Sequence, residues 1–488
     1  MLDMLKVSAS GNGSSANGQR PHLTSPTSVG EEQPARPRSR VGRVDQLNDL
    51  QNLIGWLEEN GDLHRVSREI DPHLELAGYA SKLEGGPAVL FEKLKDSPYA
   101  AIIGLLWNRD VLGRVFGLEP RELPFHVADC IASWRKSPIP PVVVDRGPAN
   151  NVVEKEVDLG KLPIPQHALK DGGRYLDCSA VIAKDPMTGV RNVSIQRCLV
   201  TGKDRMTMLI DRGRDLRAYW ERARWQGKSL PITISNGVGP SVYVACCVPS
   251  KDAPTFTDEL GVASELLGEP LRLLRGQTSE VEGVADAQFI LEGELLPDTF
   301  EPEGPFAEVT GMYAQRDNRW VVKVNAITRR RKPIFHTLLS GKEVYNSVGL
   351  LGEAAVFRAV SQEVPSVTGV YFTHGGGGFY HAVVSVAKAS DDEPKAAIEA
   401  TMKAFPPLKQ VTVVDDDVNI YDASDVEWAM AQRWRPDTGT FMYPNQKGHE
   451  LNATFPDGVG TKVGFDATCP YPKAARYERI AFMDVEVD

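Results

Sequence analysis

Between residues 45 and 70 the apolar positions Leu47, Leu50, Leu53, Ile54 and Leu57 recur at helical spacing, and Asn60-Gly61-Asp62 supplies a stop before a strand. "AVLFEKLKDSPYAAIIGLLWN" predicts strand, turn, strand. "LPFHVADCIASWRKS" predicts a helix that the prolines of "PIPPVVVD" end, because proline has no N–H to continue the ladder. A boundary is expected near residue 150. From there to about residue 345 the pattern is mainly short strands separated by Gly and Pro turns, interrupted by two helices, "DLRAYWERARWQ" and "DELGVASELLG". This predicts a barrel-like β domain with helical insertions. After "KEVYNSVGLLGEAAVFRAVSQEVP" helices alternate with strands, the mark of a separate α/β domain over residues 346–488.

Composition narrows the class. The chain has 488 residues, 42% hydrophobic and 25% charged, enough for several domains with their own cores. A formal charge of −10 argues against nucleic-acid binding, which needs a basic face. The six cysteines lack C-x-x-C spacing, so neither a disulfide framework nor a zinc site is expected, and a reducing, cytoplasmic location fits. No run approaches the roughly 18 apolar residues of a membrane span. Residues 1–44, rich in Ser, Gly, Pro, Asn and Arg, are expected to form a disordered tail.

The candidate chemistry begins at "EGPFAE". On a regular strand Glu303 and Glu308 would point to opposite faces, but Gly304 and Pro305 favour a turn or bulge that brings both carboxylates into one cavity. A surface turn with two solvated glutamates is the plainer reading of these six residues. In "NVSIQR", Asn192, Ser194 and Gln196 share one face of a strand, and Arg197 leaves it if the strand ends. Asp215 and Glu259 each suit the first turn of a helix, where the macrodipole favours a carboxylate. "DDDVNIYDASDVE" begins like a calcium loop but has Ile420 where Gly is needed and Val426 where the bidentate Glu belongs; a strand end followed by a capped helix is expected instead. "THGGGGFYHA" reads as a wide hairpin, and Cys246-Cys247 as buried apolar residues.

Taken in order, "LPIPQHALKDGGRYLDCSAVIAKDP", "NVSIQR", "GKSLPITISNGVGPSVYVACCVP", "DELGVASELLGEPLRLLRGQT", "EGPFAEVTGMY" and "TVVDDDVNIYDASDVEWAMAQRW" resemble the UbiD family of decarboxylases, from about residue 45 to about residue 483. The resemblance implies an α/β (α+β) fold. A flavin-binding domain with a split β-barrel core (residues 151–345, with residues 45–150 as its N-terminal α/β part) is joined by a long helix to a C-terminal α/β oligomerisation domain. It implies reversible decarboxylation of an aromatic or α,β-unsaturated acid with prenylated FMN, supplied by a UbiX-like flavin prenyltransferase. The implied catalytic set is Arg197, Glu303 and Glu308, with Glu308 as proton donor.

Asn192, Ser194, Ile195, Gln196, Arg197, Cys246, Val248, Glu259 and Lys403 would bind the cofactor, Lys403 at its phosphate. Manganese or magnesium, with potassium as a further ion, would bridge that phosphate to Asn192, Glu259 and the residue at 215. Asp215 stands where the family has histidine, which leaves that ligand open, although an Asp is a competent hard-oxygen ligand. A homo-oligomer, at least a dimer, is expected. Two alternatives stand beside this reading: a catalytically weak relative acting as a flavin-binding or assembly subunit, and a metal-dependent hydrolase built on Glu303 and Glu308. The intact Arg-Glu-Glu set counts against the first, and the lack of any H-E-x-x-H or His cluster against the second.

Overall fold

The computed structural model describes residues 43–211, 213–248, 258–449 and 451–480. The expected tail lies outside them except for its last two residues. The helical pattern after Val44 forms two helices, Val44–Leu47 and Leu50–Glu59, because the Asp49 carboxylate caps the second by accepting from the backbone of Gln51 and Asn52. Strand Leu63–Ile70 follows, parallel to Ala88–Leu94, which pairs antiparallel with Ala100–Ile103. The fourth strand of this sheet, Ile334–His336, comes from far along the chain and ties the N-terminal part to the barrel that precedes it.

The central sheet orders its strands Tyr175–Leu176, Cys198–Val200, Arg205–Met208, Asp317–Arg329, Phe289–Glu303, Leu230–Asn236, Ala180–Lys184 and Arg191–Ile195, with Val152–Glu154 added against Asp317–Arg329. Its two long strands, Phe289–Glu303 and Asp317–Arg329, pair antiparallel with register shifts that bend the sheet. Ile232, Ile234, Phe289, Leu291, Val322 and Val324 fill one buried core inside it. Both expected helices are present, Asp215–Trp225 and Leu260–Leu267. A third was not expected: Pro240–Cys246, buried at every position, follows Gly239 with proline at its first position.

The "KEVYNSVGLLGEAAVFRAVSQE" segment is helical throughout, with a π turn at Tyr345–Gly349 before Leu350–Glu363. It packs on helix Leu123–Lys136 through an edge-to-face pair of Phe125 and Phe357 at 5.2 Å. Arg109 forks onto Glu353 at 2.8 and 3.1 Å, fastening the N-terminal part to this connection. Beyond it a five-stranded sheet orders Val367–Phe372, His381–Val386, Gln410–Asp415, Val459–Ala467 and Thr440–Lys447. The glycine-rich segment is the wide hairpin expected, joining the first two of these strands. Asp415 and Asp417 grip Arg433 at 2.7 and 2.6 Å, and the following helix is capped by Asp422. Among the described residues no helix is long and apolar enough to cross a membrane.

Candidate active site

The central sheet places its chemistry at a seam. Strand Arg191–Ile195 is one edge, and Cys198–Val200 lies next to the opposite edge, yet only Gln196 and Arg197 separate them in the chain. Three Cα steps span at most ~11 Å, so the sheet has to curl until its edges nearly meet. Arg197 sits in the gap, where the strand has ended and its side chain is free of the alternation that governs Asn192 and Ser194.

The "EGPFAE" turn delivers both glutamates to that arginine. Glu303 is the last residue of its long strand, Gly304 takes φ 96°, where a side chain is disfavoured, and Phe306–Ala307 starts a small ladder with Tyr313–Ala314. Arg197 Nη2 donates to Glu303 Oε2 at 3.2 Å, its Nε stands 3.2 Å from Glu303 Oε1, and its Nη1 donates to Glu308. The arginine side chain is 11% exposed and Glu303 is fully buried. Burial alone would lower the guanidinium pKa, but Glu308 and Glu303 outweigh it and leave it raised. Arg197 lies over the Phe306 ring at 4.8 Å, which shields the cluster on that side.

Two cavities meet here. The first is lined by Asn192, Ser194, Ile195, Gln196, Arg197, Asp215, Cys246, Val248 and Glu308 and encloses about 1200 Å³ of atom-free space, its mouth included. The second shares Arg197, Leu209, Asp211 and Glu308 with it and runs between Thr310–Trp320 and Leu451 and Ala453 of the C-terminal sheet's connections. Glu259 stands behind the first cavity rather than on its wall. It is buried, accepts from Asn192 Nδ2 and from the backbone of Val193, each at 3.1 Å, and burial pushes its carboxyl up to about 8. Its approach is held by Arg191, which donates to Asp258 at 2.8 Å, and by Trp134, whose ring N–H donates to the Asp258 carbonyl at 3.0 Å.

Asp215 is the first residue of helix Asp215–Trp225, and Asp215 and Glu259 both act electrostatically on the buried Tyr219 hydroxyl, whose pKa is raised chiefly by burial. Asn192 and Asp215 line the first cavity with Glu259 behind Asn192, oxygen donors of the type a hard divalent cation takes, and the apolar walls at Ile195, Leu216, Cys246 and Val248 suit a flavin ring. Among the described residues no group of three or more His, Cys, Asp or Glu offers a separate metal centre.

One expected cofactor contact is corrected. Lys403 is not brought to the cavity: helix Glu393–Ala404 buries Ala397, Ile398, Ala400, Thr401 and Ala404, and Lys403 on its other face is 77% exposed and paired with Glu363 at 2.9 Å. The turn reading of "EGPFAE" holds, and the solvated-surface alternative does not. Sequence reasoning passed over Tyr175, whose hydroxyl donates to Glu303 Oε1 at 2.9 Å across 128 residues, and Arg319, whose Nε lies 3.6 Å from Glu303 Oε2. Tyr175 sits inside a segment that carried the resemblance, but nothing local pairs it with Glu303.

A curled sheet thus brings two carboxylates to one arginine beside a cavity, and comparison with known proteins names the family and with it a class of carboxy-lyases. Residues 54–131, 142–343 and 346–467 match the N-terminal, Rift-related and C-terminal domains of 3-octaprenyl-4-hydroxybenzoate carboxy-lyase, so the chain belongs to the UbiD family of decarboxylases.

It is 53% identical to the uncharacterized protein in the cooM 5′ region of Rhodospirillum rubrum, over 91% of this chain and 96% of that one. It is 33% identical to the anhydromevalonate phosphate decarboxylase of Methanothermobacter thermautotrophicus, over 80% and 91%. The UbiD-class enzyme HmfF of Pelotomaculum thermopropionicum, solved with FMN, superimposes with a TM-score of 0.84 at 36% identity over 89% of this chain and 97% of that one. An evolved dimeric form of HmfF, solved with prFMN, gives 0.80 at 34% over 89% and 97%.

Proposed function

We propose that this protein reversibly decarboxylates an aromatic or α,β-unsaturated carboxylic acid with prenylated FMN in the first cavity, through Arg197, Glu303 and Glu308. The observation that carries this reading is that one arginine is bonded to both glutamates where the two cavities meet. The bound cofactor supplies the electron sink for the carbon that loses carbon dioxide. Arg197 and the buried wall at Phe306 orient the acid and keep water from the site. Glu308, on the wall of both cavities, delivers a proton to the carbon that carried the carboxylate. Glu303, held behind Arg197, keeps the set's charge in balance.

Asn192, Asp215 and Glu259 hold manganese or magnesium at the cofactor's phosphate. The enzyme works as a homo-oligomer, at least a dimer, and receives its cofactor from a flavin prenyltransferase. The substrate's remaining length extends into the second cavity, where Arg316 stands without an ion-pair partner among the described residues. Since relatives are named for a phosphate-bearing acid, the substrate panel includes phosphorylated acids.

The test is carbon dioxide release from that panel by protein co-expressed with a flavin prenyltransferase, with Glu308→Gln as control. Release by the wild type that the variant loses is expected. No release from any acid by flavin-loaded protein would favour the assembly-subunit reading.

A further inference from the structure

The two glutamates on Arg197 are not equivalent, and a residue outside the catalytic set accounts for the difference. Tyr175 is fully buried; its hydroxyl lies 2.9 Å from Glu303 Oε1 and 3.3 Å from the Pro305 carbonyl. Its short strand pairs with Cys198–Val200, Tyr175 opposite Leu199, so its position is set by the same seam that seats Arg197. Its ring packs on Phe306 at 4.6 Å, the ring that also faces the guanidinium.

Counting donors separates the carboxylates. Glu303 accepts from Arg197 Nη2 at 3.2 Å and from the Tyr175 hydroxyl at 2.9 Å, while the Arg319 guanidinium, which donates to Asp317, adds only a nearby charge at 3.6 Å. Glu308 has one side-chain donor among the described residues, Arg197 Nη1. The other titratable groups that sense the pair are neutral: the Cys198 thiol beside Glu303 and the Tyr380 hydroxyl near Glu308 are both raised, chiefly by burial. Hydrogen bonds to a charged form favour that form.

We propose that Tyr175 is a positioning residue whose hydrogen bond holds Glu303 as the anion of the set on Arg197, so that the transferable proton resides on Glu308. This rests on the reading of Arg197, Glu303 and Glu308 as the catalytic set. The phenol suits the task, because burial first, and then the Glu303 charge, raises its pKa and keeps it a donor across the working range. On this account the active form has Glu303 ionised and Glu308 protonated. The dependence of rate on pH therefore reads the set, and a change in the donor that faces Glu303 shows in its acid limb.

The test compares the pH dependence of kcat/KM for wild type, Tyr175→Phe and 3-fluorotyrosine at position 175, each co-expressed with a flavin prenyltransferase, with flavin content and Tm measured alongside. Tyr175→Phe keeps the ring against Phe306 and removes the donor. Its acid limb should move up by about one pH unit and kcat should fall at least several-fold, with KM and flavin content little changed. The fluorinated side chain keeps the shape, secures a folded variant, and is a stronger donor; its acid limb should move down.

Acid limbs that stay put in both variants, with any activity loss following Tm or flavin content, would overturn the proposal while leaving the catalytic set intact if Glu308→Gln and Glu303→Gln are inactive. Normal turnover in Glu308→Gln would overturn both the proposal and the set beneath it.

Discussion

Asn192 donates to Glu259 at 3.1 Å, joining the edge strand of the curled sheet to the start of helix Leu260–Leu267 and leaving a buried carboxylate and an amide oxygen beside the first cavity. Burial leaves Glu259 ill at ease without a counter-charge, since its carboxyl is pushed up to about 8. A divalent cation would supply that charge.

Asp215 tests the third ligand. If it completes the set, Asp215→Ala loses bound metal and flavin together, and Asp215→His retains part of both. If it only favours its helix terminus, Asp215→Ala costs about 0.3 to 1 kcal/mol and leaves cofactor content unchanged. Metal and flavin stoichiometry on the purified variants decides between them.

Arg197→Ala and Glu308→Gln are each expected to lower kcat by about 10² to 10⁴ with far-UV circular dichroism near wild type, Tm staying near wild type in Glu308→Gln and falling in Arg197→Ala, which leaves buried Glu303 without its partner. Glu303→Gln should also slow turnover, through the charge it removes from Arg197. Near-normal turnover in Glu308→Gln would withdraw its role as proton donor.

Order near the N-terminus is anchored at Asn48, which is buried and accepts from Ser241 N at 3.3 Å and Ser241 Oγ at 2.6 Å. A chain starting at Val44 should keep its Tm and activity. Asn48→Ala, which leaves Ser241 without that partner in a buried site, should cost about 1 to 3 kcal/mol in urea denaturation. A Tm drop in the truncation as large as that of Asn48→Ala would show that the residues before Val44 contribute to stability.

The C-terminal sheet carries a pH-dependent tie. Arg433 and Lys473 hold Asp417 ionised against burial and lower its pKa to about 2. A depressed carboxylate contributes stability that is complete above its unfolded value of about 4 and fades as pH falls toward 2. Asp417→Asn should therefore be less stable than wild type at pH 7, and the two should converge as pH falls from about 4 to 2. Parallel stability curves over that window would remove Asp417 from the account.

Local pattern determined a good deal. Apolar spacing placed the helices at Leu123–Lys136, Asp215–Trp225 and Leu260–Leu267, and Gly304-Pro305 announced the turn that pairs Glu303 with Glu308, because periodicity and backbone preference act between near neighbours. Helix Pro240–Cys246 escaped, since a segment buried on all sides has no polar face to reveal its period.

Only the tertiary structure decided which side chains share the site. Arg197 reaches Glu303 across 106 residues and Tyr175 reaches it across 128, by way of a sheet whose edges curl together at Gln196 and Arg197. Lys403, equally plausible as a cation in the sequence, was turned to the outside by the apolar face its helix had to bury. Residue types and local elements follow from short-range preference, whereas the company a charge keeps depends on how distant surfaces bury one another.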